Sequence, residues 1–108
     1  MTRVEIIHLN GGFIFECTGH AGFAEKGKDI VCAGISALTM ALAQRLRELE
    51  AENILQIEYC RFCEGEAYME ISFADSKICE MKASEVLETV RAGLEAIQSV
   101  YPENLMIC

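Results

Sequence analysis

The sequence predicts an α+β protein, a two-layer α/β sandwich in which two helices cover one face of a five-stranded mixed sheet, in the order ββαββαβ. Three observations carry that prediction. Short alternating or apolar stretches recur five times, two longer stretches repeat their apolar residues at intervals of three and four, and glycine turns separate neighbouring strands. At 108 residues the chain holds one core comfortably and two poorly, so a single domain over residues 1–108 is expected.

Residues 3–9 partly alternate, Asn10-Gly11-Gly12 supplies a turn that permits positive φ, and residues 13–18 return as a second strand. The next stretch, Gly19-His20-Ala21-Gly22-Phe23-Ala24-Glu25-Lys26-Gly27-Lys28, is too glycine-rich for a regular element and reads as a mobile loop with hinges at Gly22 and Gly27. Asp29 is placed to cap a helix, because its carboxylate can accept the unpaired N–H groups of a first turn. From there Val31, Ile35, Leu38, Leu42, Leu46 and Leu49 form one apolar stripe, predicting a helix over 30–50. Gly34, Ala33 and Ala37 let another backbone or a ligand approach that helix closely. Residues 54–60 and 67–73 predict a second hairpin around Glu64-Gly65. A second helix starts between residues 76 and 84, carries Val86, Val90, Leu94, Ile97 and Tyr101 on one face, and stops at Pro102. Residues 105–107 give a short last strand.

Seventeen acidic side chains against nine basic leave a net charge of −8. A surface that neutralises phosphates needs the opposite sign, so direct nucleic-acid binding is not expected. The imbalance sits in the second half, where residues 54–108 hold four basic and ten acidic side chains. That half favours basic partners. No unbroken apolar run approaches the roughly 18 residues of a membrane span, and the start of the sequence lacks an export-signal layout. A cytoplasmic protein is expected, and with it reduced thiols at Cys17, Cys32, Cys60, Cys63, Cys79 and Cys108.

If Asp29 caps the first helix, Cys32 occupies its third position, where the macrodipole and unpaired N–H groups favour a negative sulfur. His20, across the flexible loop, can fold back to take the thiol proton and form a Cys/His pair for acyl transfer, with first-turn N–H groups as oxyanion donors. Against this, a cysteine near a helix start is usually an inert small hydrophobe. Asp29 also opposes a thiolate, while Lys26, Lys28 and a protonated His20 favour one. Spacing alone leaves both readings open. Cys60 and Cys63 form a lone CxxC, read as turn residues, with a zinc-stabilised domain as a weaker alternative. No cofactor motif and no complete metal-ligand pattern is present, so neither a cofactor nor a metal is expected.

Gly19-His20-Ala21 followed by Asp29-Ile30-Val31-Cys32-Ala33-Gly34-Ile35-Ser36, with eleven residues between the histidine and Cys32, resembles the signature of the ribosomal-processing cysteine proteases, the Prp family of bacteria. The element order and Tyr101-x-Glu103-Asn104 extend a weaker likeness over the whole chain. The resemblance implies a Cys/His dyad with Cys32 as nucleophile and His20 as base. Asp29 would cap the helix and orient the dyad, and Ser36 would support the site or substrate. It further implies a homodimer that removes the N-terminal extension of large-subunit ribosomal protein twenty-seven, cutting after an aromatic residue, with the glycine-rich loop covering the site. A basic ribosomal protein suits an acidic enzyme. Phe23, Ile35 and Met40 are candidates for an apolar groove. The rival is a non-enzymatic module that binds a ribosomal protein through the same groove during assembly.

Overall fold

The computed structural model describes all 108 residues and contains β1 (Thr2–Leu9), β2 (Gly12–Thr18), α1 (Ile30–Ala51), β3 (Leu55–Cys63), β4 (Glu66–Phe73), α2 (Lys77–Val100) and β5 (Leu105–Ile107). The strands form one sheet in the order β3-β4-β2-β1-β5. Every neighbouring pair is antiparallel except β1 with β5, which makes the sheet mixed as expected.

Alternation decides which face is covered. Val4, Ile6, Phe13, Phe15, Cys17, Ala67, Met69 and Ile71 are buried on the helix side. Val31, Ile35, Leu42, Leu46 and Leu49 of α1, with Ala83, Leu87, Val90 and Leu94 of α2, meet them from above. By length and a mean hydropathy of 1.2, α1 reaches the range of a membrane-crossing helix, which the run lengths alone do not suggest. Its buried residues Val31, Ile35, Leu42, Ala43, Leu46 and Leu49 nevertheless form one stripe against the core, while Ile30, Met40, Gln44, Arg45, Arg47 and Glu48 face outward.

Close packing of the two helices explains Gly34. A Cβ at Gly34 would come within 3.3 Å of Ile97, and one at Gly93 within 3.0 Å of Leu38. The small residue serves helix–helix packing. β3 runs three residues further than expected, so Cys60 and Cys63 lie in the strand and not in the turn. Cys60 pairs with buried Met69 and Cys63 with Glu66, which places them on opposite faces of the sheet. Two thiols so placed cannot close on one zinc ion, and the zinc alternative fails on that geometry.

Candidate active site

An open cleft of about 650 Å³ lies where the start of α1 meets the β3–β4 turn, and it is lined by His20, Asp29, Cys32 and Ser36 together. Asp29 holds the helix end of it. Its backbone is extended, with φ −88° and ψ 98°, and Oδ1 accepts the Cys32 N–H at 2.8 Å. Oδ2 accepts the N–H groups of Phe23 at 3.0 Å and Ala24 at 3.3 Å. Chief among the causes, the Cys32 N–H holds this carboxyl below the usual carboxylate range, and the loop N–H groups add to the effect. One side chain therefore caps the helix and fastens the glycine-rich loop to it.

The N–H groups of Cys32 and Ala33 are both occupied by Asp29, through its side chain and its carbonyl respectively. Two of the first-turn groups expected as oxyanion donors are thus already satisfied. The Asp29 carboxylate accepts only backbone N–H groups, so any influence on the dyad runs through the position of Cys32 and the loop.

The glycine-rich segment is tethered on both sides of His20. The N–H of Gly19 donates to the Gly65 carbonyl at 2.8 Å, Ala21 is buried, and the Asn104 side-chain Nδ2 donates to the Ala21 carbonyl at 2.9 Å. Between these anchors the imidazole lies over Gly65, where a Cβ would come within 3.1 Å of Nε2. Gly65 has φ 78°, which glycine adopts freely.

The loop beyond Ala21 crosses the cleft. Gly22 and Gly27, the expected hinges, both adopt positive φ, at 71° and 89°. Lys26 reaches over the mouth to Glu64 at 2.8 Å. The Lys26 ammonium, with a smaller contribution from His20, keeps the Glu64 carboxyl below its ordinary range. Phe23 turns away and stacks edge-on against Tyr101, centroids 5.3 Å apart, so it is not part of the cleft wall. Ile35 and Met40 do line it, as anticipated.

Three cysteines border the cleft, and their surroundings differ. Burial pushes the Cys17 thiol up to about 11, against a smaller opposing pull from Thr39, so it stays protonated on the floor. Cys63 ends the edge strand beside Arg61. Cys32 alone sits at the helix start, half-buried, on the cleft shared with an imidazole. Glu64 and Gly65 were expected only as the turn of the second hairpin, and Asn104 only through the likeness around residues 101–104; none of the three was expected at the site.

A family model described as cysteine protease Prp matches residues 1–106. The ribosomal processing cysteine protease Prp of Bacillus subtilis (strain 168) is 35% identical over 103 residues, covering 93% of this chain and 88% of its own length. A crystal structure of an essential ribosomal processing protease Prp from S. aureus, with a covalently linked product peptide, is similar with TM-score 0.80 and 24% identity over 99% of this chain and 97% of that one. A second S. aureus Prp structure, with a substrate peptide, gives TM-score 0.71 and 25% identity over 100% of this chain and 98% of that one.

Proposed function

The chain belongs to the Prp family of cysteine proteases, and on that premise we propose that Cys32 and His20 form its catalytic dyad and that its substrate is the N-terminal extension of large-subunit ribosomal protein twenty-seven, cut after an aromatic residue. Membership sets aside the non-enzymatic binder. The observation that supports the dyad is the shared cleft, which brings the helix-start thiol and the anchored imidazole to one concave surface although they are twelve positions apart in the chain.

In this reading His20 removes the Cys32 proton, and the thiolate attacks the scissile carbonyl carbon. The tetrahedral intermediate collapses as the protonated imidazole gives its proton to the leaving amine. Water, deprotonated by His20, then releases the acyl group and restores the thiol. The helix macrodipole favours the anionic sulfur. An entering peptide meets the exposed ion pair of Lys26 and Glu64, both of which line the cleft. Ser36, exposed one turn beyond Cys32, lines the same cleft and is placed to support a substrate peptide there. The small, neutral floor of Cys17, Thr39 and Ala67 suits an uncharged side chain. The acidic surface suits a basic ribosomal protein. With the family likeness as its support, the same reading makes the working enzyme a homodimer, and the cytoplasm its compartment.

Incubation with the extended ribosomal protein or its N-terminal peptide, read by mass spectrometry, tests the proposal. Wild type should cut once, after an aromatic residue. Cys32→Ala should give no product while keeping its circular dichroism, and His20→Ala should slow cleavage by about 10²–10⁴-fold. Unchanged turnover by Cys32→Ala would refute the dyad, and cleavage at another residue type would refute the specificity.

A further inference from the structure

Asn104 closes the turn between α2 and β5, and its main chain is engaged on both sides. Its N–H donates to the Tyr101 carbonyl at 3.0 Å, and its carbonyl accepts the N–H of Thr2, the first residue of β1, at 3.0 Å. With both main-chain groups held, only two side-chain torsions remain, and they aim Nδ2 at the Ala21 carbonyl, 2.9 Å away. A carbonyl is satisfied only by a donor, so the amide meets the loop with its nitrogen. Ala21 is buried, where a carbonyl left without a donor is costly.

His20 lies between two tethers of different kinds. On one side the Gly19 N–H donates to the Gly65 carbonyl, a bond between main-chain atoms that depends on no side chain. On the other side the tether is the Asn104 amide. The turn that carries Asn104 does not need that amide, because its main-chain bonds already close it. Nor does the substrate cleft use it, since neither Asn104 nor Ala21 is among the residues lining the cleft. The same turn also meets the loop at Phe23, through the edge-on contact with Tyr101.

We propose that Asn104 is a positioning residue for the proteolysis: its side-chain amide, by holding the Ala21 carbonyl, fixes the backbone that carries the His20 imidazole. It rests on the reading of Cys32 and His20 as the dyad. A general base works only within hydrogen-bond reach of the proton it takes, and a displacement of about 1 Å can cost 10²-fold. One tether leaves the histidine segment free to pivot. The second removes that freedom.

Asn104→Asp keeps the size of the side chain and turns an acceptor toward the Ala21 carbonyl, whereas Asn104→Ala removes the group; both keep the main-chain bonds of the turn. For each, kcat on the N-terminal peptide of the ribosomal protein should fall about 10–10²-fold with KM nearly constant. Alkylation of Cys32 by iodoacetamide, read by peptide mapping, should slow toward the rate of His20→Ala. In a His20→Ala background the same substitutions should change either quantity by no more than about twofold, because a residue that acts through the imidazole has nothing left to act on. Leu105→Val trims the buried neighbour in the chain and leaves the amide in place, so it should lower Tm and keep kcat. An equal loss in the His20→Ala background would overturn the proposal, as would a rise in KM alone or a matching loss in Leu105→Val. Unfolding of both Asn104 variants, seen by circular dichroism, would overturn it too, by making the amide a requirement of the whole fold. Wild-type cleavage and alkylation rates in His20→Ala would instead remove the dyad, and the positioning role with it.

Discussion

His20 owes its position to a residue with no side chain. Gly65 supports the imidazole from below, in a backbone conformation that L residues rarely adopt. Gly65→Ala should therefore displace the ring and lower kcat by about 10²-fold, since small misplacements of a reacting group cost that much. Gly11→Ala is the matched control, because Gly11 has a similar φ of 88° but open space around its missing Cβ. It should lose stability comparably and keep its activity. Equal loss of activity in both variants would show a backbone effect and no ring displacement. The capping residue and Cys32 were legible in the sequence because three positions along a helix fix their relation. The contacts of Gly65 and Asn104 with the histidine segment were not, because they join residues 46 and 83 positions apart, and no local pattern records such a meeting.

Among the elements, the loop and α1 are coupled through one carboxylate. An amide offers a single acceptor oxygen, so Asp29→Asn can satisfy the helix or the loop but not both. Trypsin should then cut at Lys26 or Lys28 faster than in wild type while helix content is preserved; equal rates would refute the coupling. The same anchor responds to acid. Because the folded carboxyl is held below its unfolded value of 3.8, its contribution is complete above that pH and disappears as pH falls through the lowered value. Pepsin should accordingly open the wild-type loop only in strong acid. Both helices were readable from their apolar spacing, and α1 ends within one residue of expectation. The last three residues of β3 were not, since Arg61, Phe62 and Cys63 are exposed on an edge and carry no alternation for burial to enforce.

Over the whole molecule the dominant quantity is the charge of −8. Attraction between this surface and a basic ribosomal protein should make kcat/KM fall several-fold between about 0.01 and 0.15 M salt, as the Debye length shrinks from about 30 to about 8 Å. A neutral peptide with the same cleavage sequence should show little change, and parallel salt curves would exclude steering. Element order was legible from the sequence, but strand order was not. The parallel union of β1 with β5 joins the two ends of the sequence, and propensity says nothing about partners so distant. That union carries a consequence for synthesis. The segment bearing His20 emerges from the translating ribosome 83 residues ahead of the asparagine that fastens Ala21, on the order of ten seconds earlier. A nascent chain therefore holds Cys32 and His20 before Asn104 can fasten the histidine segment, and under the proposed dyad competence should arrive only when the last residues have emerged.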